Sequence, residues 1–241
     1  WRFPSRLSPI RFFGLRSGRV VVKDPTAVGL LEQIIEYCEM DVIVMVRHPC
    51  GYASSLRRLG WHADARVERL LSRPFCEDFG MQRYRHLWAD WQKLTDVEKF
   101  TVQLGLLVEI SLNFVENNPD IARLVKYEDF ANDVSLFRGL FLDLDLDYNY
   151  EVQKLHRRLT TGHGSEKSPF DVARDSRTAA ESWRGRLTAE DVERVRRIWR
   201  RFPHELYDED GDWELGAKVL EPGQCSRADE VKGSFSVRVK K

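Results

Sequence analysis

Arg47, His48 and Pro49 follow the run at residues 41–46 (DVIVMV), apolar throughout after Asp41, and Ser54 and Ser55 come within two helical turns of them. An arginine that closes a buried strand just ahead of a helix suits anion binding. Open α/β sheets take ligands at the carboxyl ends of their strands. A helix N-terminus offers free N–H groups and a favourable dipole, and a guanidinium is a forked donor matched to phosphate. Ser55, in the early turns of that helix, adds an O–H donor. The same spacing also fits a strand-end Arg in a surface ion pair beside an ordinary helical Ser. Three other segments place polar side chains at element ends: residues 22–27 (VKDPTA), residues 125–130 (VKYEDF) and residues 174–188, which hold Arg174, Arg177, Trp183 and Arg184. Taken singly, these fit common strand ends, acidic helix starts and solvated arginines.

Periodicity supplies the elements that would position these groups. Residues 19–23 (RVVVK) are short and β-branched and predict a strand. Asp24-Pro25 is a good helix start, with Asp as cap and Pro at the first helical position. Leu30, Leu31, Ile34 and Ile35 carry that helix to about Met40. Residues 41–46 predict a strand buried on both faces, as in a parallel sheet, and a helix then carries residues 54–59. Residues 79–94 and 96–117 predict two longer helices, residues 121–126 a third strand, and residues 132–142 and 150–158 two short helices. Residues 160–180 read as a long loop. Thr188 and Asp191 form a capping-box-like start to a helix over residues 188–201. This succession predicts an α/β fold with a central parallel sheet flanked by helices. Residues 1–18 read as an irregular segment, 19–216 as the domain, and 217–241 as a tail with an edge strand near 234–239.

Composition sets outer bounds. The 241 residues suffice for one sizeable core, and 42% hydrophobic with 32% charged residues suits a soluble globular chain. Lys plus Arg equals Asp plus Glu at 38 each, which argues against bulk nucleic-acid binding. Residues 47–73 are locally basic, which is enough for a small anion. The four cysteines form no C-x-x-C pair and no zinc spacing, so reduced thiols in a cytoplasmic protein are expected. No membrane span and no signal peptide is legible.

The segment VIVMVRHPCGYASSLRRLGW resembles the 3′-phosphate-binding element of sulfotransferases that use 3′-phosphoadenosine 5′-phosphosulfate (PAPS), in its bacterial and carbohydrate-acting branches. In that family a strand ends in Arg, a Pro follows one residue later, and a Ser stands eight positions after the Arg, as Arg47, Pro49 and Ser55 do here. The resemblance implies that Arg47 and Ser55 bind the nucleotide 3′-phosphate. Residues 125–130 are similar to the family's YED element, which implies Tyr127 near the adenine, its acids organising the loop locally. The stretch Trp183-Arg184 to Leu187-Thr188 looks like its C-terminal nucleotide loop, which implies Arg174, Arg177 and Arg184 on nucleotide phosphates. It also implies a P-loop-type three-layer fold, and Lys23 beside the transferred sulfuryl group.

Cytosolic members place a catalytic His two positions after this Lys; here Pro25 stands there. Asp24 is the alternative proton acceptor, in competition with its helix-cap role. The four elements follow one another in family order. The expected reaction is in-line sulfuryl transfer from PAPS, without a metal, to an acceptor hydroxyl or amine. Aromatic and basic residues at 61–94 favour a carbohydrate acceptor, although Trp88 and Trp91 also fit a core.

The family's Gly/Ser/Thr-rich phosphosulfate loop is absent from the sequence, and the glycines of residues 1–18 are Gly14 and Gly18 alone, spread among Arg and Phe. The expectation is therefore a chain whose first strand and phosphate loop lie upstream of Trp1, or one that has lost them. Two other classes stay open: a fragment that binds adenosine 3′,5′-bisphosphate without turnover, and a P-loop kinase, whose G-x-x-x-x-G-K-[ST] loop is also missing.

Overall fold

The computed structural model describes residues 21–24, 27–161, 175–208 and 210–214. The expectations placed on residues 1–18 and 217–241, on Pro25 and on Arg174 lie outside the described residues.

After a 3-10 turn at Ala27–Leu30 come α1 (Leu31–Tyr37) and β1 (Val42–Val46). Then follow α2 (Pro49–Arg58), α3 (Asp64–Leu70), α4 (Arg73–Asp78) and α5 (Gln82–Leu87), a 3-10 turn at Trp91–Lys93 and α6 (Asp96–Asn117). The chain returns as β2 (Ala122–Lys126) and continues through α7 (Tyr127–Asn132), α8 (Val134–Asp143) and α9 (Tyr150–Thr160). It closes with α10 (Ser176–Glu181), a 3-10 turn at Ser182–Gly185, α11 (Ala189–Trp199) and a 3-10 turn at Asp210–Trp213.

The described fold is mostly helical around a two-stranded parallel sheet. It is broadly α/β, with fewer strands than the expected central sheet. Val42 pairs with Ala122 and Val46 with Lys126. Both strands therefore end at one level, and Arg47 and Tyr127 leave the sheet side by side. Residues 21–23 form no strand: Val21 and Val22 are 85% and 71% exposed, so their β-branched pattern has no neighbouring surface to pack on. Met45 is 54% exposed, so β1 is buried at its ends rather than on both faces throughout.

α6 organises the core. Its buried positions run round most of the helix, from Val97 and Phe100 to Leu112 and Phe114, as in a helix packed on several sides. α2, α3, α11 and β2 all lie against it. At Gly105 a Cβ would fall 2.2 Å from the Phe202 ring, so only glycine admits that close approach.

The expected helix at 79–94 is interrupted. Gly80 adopts φ 64° after α4, and the segment resolves into α5 and the Trp91–Lys93 turn. The first helix begins as 3-10 at Ala27 and stops at Tyr37, short of Met40. Within the expected 160–180 loop, the Asp175 carboxylate accepts from Thr178 N–H at 2.8 Å and starts α10. No described helix is long and apolar enough to cross a membrane.

Candidate functional site

The carboxyl edge of the sheet is where the sequence motifs converge. α2 begins at Pro49, which has no N–H to lose. The Cys50 N–H donates to His48 Nδ1 at 3.2 Å, and Tyr52 N–H opens the helical ladder to His48 O at 2.9 Å. Gly51 is the one remaining first-turn residue with an N–H.

Gly51 and Ser55 stand four residues apart on one face of α2, and Arg47 lies two residues ahead of the helix's first residue. The Arg47 side chain lies on Gly51: a Cβ there would be 2.9 Å from Arg47 Nε. That bare surface lets the guanidinium lie across the positive end of the helix, a placement that calls for an anion. One guanidinium nitrogen donates to Ala179 O of α10 at 2.9 Å, and the group sits 5.1 Å from the Tyr127 ring centre. Arg47 Nε is buried with no hydrogen-bond partner. Ser54 Oγ, one turn beyond Gly51, is likewise buried and unpartnered, while Ser55 is half-buried. Orphaned buried donors are costly unless something fills them. Arg47 Nε lies on the first turn of α2 and Ser54 belongs to the next; acceptor oxygens such as those of a phosphate would satisfy such donors.

Glu128 ties this edge together. One carboxylate oxygen accepts from His48 N–H at 2.9 Å and the other from the Tyr207 hydroxyl at 2.6 Å. Burial pushes its carboxyl above the usual range, and the bonds from Tyr207 and His48 and the Arg47 charge do not cancel it. Burial, with Glu128 beside it, likewise holds the Tyr207 hydroxyl far above its ordinary range. The His48 ring stacks flat on Trp183 at 4.8 Å and meets the edges of Tyr207 and Trp213 at 4.9 and 4.7 Å. Cys50 at the helix start is fully buried, and burial pushes its thiol well up, so it is not a nucleophile.

The expected site residues divide. Arg47, Tyr127 and Arg177 share the α7–α10 neighbourhood, where Arg177 donates to Asn132 O at the end of α7, 3.1 Å away. Arg184 turns inward instead. Its side chain is 7% exposed, pairs with Glu181, and lies 4.5 Å from the Trp183 ring. Lys23 and Asp24 are exposed and precede the first helical turn. Three contributors went unassigned in the sequence: Ser54, Gly51 and Tyr207. The first two stood inside the quoted motif, where Gly51 precedes Ser54 and Ser55 by one helical turn. Tyr207 lies 79 residues from Glu128 and carried no local signal.

Among the described residues no group of three or more His, Cys, Asp or Glu is placed to hold a metal ion. Comparison of the chain with protein-family models, curated proteins and solved structures finds no match.

Proposed function

We propose that the sheet's carboxyl edge binds the 3′-phosphate of an adenine nucleotide, and that the protein is a PAPS-dependent sulfotransferase-like chain acting on an acceptor hydroxyl or amine, with a carbohydrate as the favoured class. The observation that carries this reading is the Arg47 guanidinium on bare Gly51, its Nε buried without a partner, with the orphaned Ser54 hydroxyl one turn away. In this reading Arg47, the Gly51 N–H and Ser54 with Ser55 hold the 3′-phosphate. Tyr127 faces the adenine, while Arg177 adds positive charge from α10. PAPS would supply the sulfuryl group. The protein contributes orientation and charge neutralisation, as in phosphoryl transfer. Lys23 neutralises charge on the leaving oxygen, and Asp24 takes the acceptor proton. The P-loop-type three-layer fold belongs to the same proposal.

A second reading, nucleotide binding without turnover, is favoured by one observation: Lys23 and Asp24 are exposed on a segment that is not part of the sheet. Thermal melting with two ligands tests what the readings share. Adenosine 3′,5′-bisphosphate should raise the melting temperature more than adenosine 5′-monophosphate, and Arg47→Ala should abolish the difference. Equal shifts from both nucleotides in the wild-type chain would sink the 3′-phosphate site. Release of adenosine 3′,5′-bisphosphate from PAPS with an acceptor present separates turnover from binding alone.

A further inference from the structure

α2 ends in a fixed way that sets an aromatic ring on the surface. Gly60 takes φ 65°, its N–H donates to Arg57 O at 3.0 Å, and the Trp61 N–H donates to Leu56 O at 3.1 Å. This is a Schellman termination, which requires the left-handed conformation that glycine adopts without strain. It holds Trp61 at the foot of α2 with 43% of its surface exposed, whereas Trp88, Trp183 and Trp199 are buried in the core. α3 then brings the Arg66 guanidinium to 4.7 Å from the Trp61 ring centre. Arg69, three residues on, shares the outward face of α3, because Val67 and Leu70 turn into the core.

Charge at this end of the molecule is unevenly committed. Arg57 pairs with Asp191 at 2.9 Å, and Asp64 is taken by Lys99 at 2.8 Å. Arg58, Arg66 and Arg69 are exposed and have no carboxylate partner among the described residues. Glu68 is the counter-charge on this stretch of α3. An exposed indole that already holds one cation, with two further exposed arginines on the two helices it joins, combines an apolar platform with anion donors.

We propose that Trp61, Arg58, Arg66 and Arg69 form a docking surface for an anionic glycan, a sulfated or carboxylated oligosaccharide. The C–H face of a sugar ring stacks on the free part of the indole, and its anionic substituents meet the arginines. The zero formal net charge and the lone indole of this patch disfavour a nucleic acid, which calls for a longer basic track with several stacking rings. The ten residues of α2 separate this surface from its first turn by roughly 15 Å. It therefore holds the acceptor chain at a distance from Arg47 rather than at the point of transfer. The choice of a glycan over another polyanion rests on the sulfuryl-transfer reading; the surface itself does not.

Calorimetry of a heparin tetrasaccharide on the full chain, at fixed ionic strength and without nucleotide, tests this. The wild type should bind. Trp61→Ala, Arg66→Ala and the charge reversal Arg69→Glu should each weaken binding about tenfold, with melting temperatures confirming that each variant is folded. Arg157→Ala/Arg158→Ala on α9 lowers the charge by two elsewhere, the same change as Arg69→Glu, and should leave binding unchanged. No binding by the wild type would overturn the proposal, as would an equal loss in the α9 variant or equally tight binding of a single-stranded oligonucleotide of matched charge. Adenosine 3′,5′-bisphosphate, titrated in parallel, should bind all these variants alike. A chain that binds the glycan and not the nucleotide contradicts the Arg47 site alone.

Discussion

Two partly or fully buried glutamates, Glu98 at the start of α6 and Glu128 at the sheet edge, accept backbone N–H bonds in similar ways and end in opposite electrostatic states. Glu98 accepts from the Thr95 N–H at 2.9 Å and hydroxyl at 2.7 Å, and its other oxygen takes the Arg197 guanidinium at 2.7 Å. Burial raises its carboxyl, but the Thr95 bonds and Arg197 outweigh burial and hold it below the usual range. At Glu128 the contacts are a neutral N–H and a neutral hydroxyl, and burial wins. The seam between α6 and α11 is thus closed by matched charge. The sheet edge, covered by Trp183, Tyr207 and Trp213, is closed by neutral donors and aromatic rings. His204 is a third case, buried without any charge partner: it is 4% exposed against Trp199 of α11 and Phe202, and neither ring nitrogen has a hydrogen-bond partner. At the sheet edge the guanidinium of Arg47 donates to a backbone carbonyl, Ala179 O, rather than to a carboxylate, which is what the proposed anion site requires.

His204 gives the largest expected contrast. Burial pushes its imidazole down to about 4, so the folded chain holds it neutral where the unfolded chain protonates it. Its contribution is full above the unfolded value and is lost as pH falls through about 4. Relative to His204→Phe, the wild type should lose about 3 kcal/mol between neutral pH and pH 4 in urea titrations. An unchanged difference would mean that the ring is solvated.

Glu128→Gln comes next. One of the His48 and Tyr207 donors would then face an amide NH2, which should cost about 1–2 kcal/mol. Because the Glu128 carboxyl is raised in the fold, its contribution is present below the unfolded value and lost as pH rises through the folded one. The advantage of the wild type over Glu128→Gln should therefore grow as pH falls. Glu98→Gln should cost about 1 kcal/mol with the opposite slope, its advantage shrinking as pH falls through the lowered value. Slopes of the same sign would remove the distinction between the two regions.

The parts of this arrangement that were legible in the sequence are those set by local spacing. The run at 41–46 and the one at 121–126 marked β1 and β2, and each placed its polar motif at a strand end. Their parallel pairing then brought Arg47 to Tyr127 without further information. The Thr188 capping box and the length of α6 were equally local. What the spacing did not carry is set by tertiary contact. Residues 19–23 have strand-like types, yet Val21 to Lys23 have no sheet surface to join. Arg184 resembled a ligand residue, yet Glu181 one helical turn away and the Trp183 ring take it inward. Tyr207 reaches Glu128 from a part of the chain where nothing local announces it. The division of residues 61–94 into a buried Trp88 and an exposed Trp61 depended on the Gly60 turn.

The central claim is that Arg47 selects a nucleotide by its 3′-phosphate. Isothermal titration of adenosine 3′,5′-bisphosphate and adenosine 5′-monophosphate into the wild type and Arg47→Ala addresses it directly. The predicted result is a preference for the bisphosphate of about tenfold to a hundredfold in the wild type, lost in Arg47→Ala. Equal affinity for the two nucleotides, or a preference that survives the substitution, would contradict it.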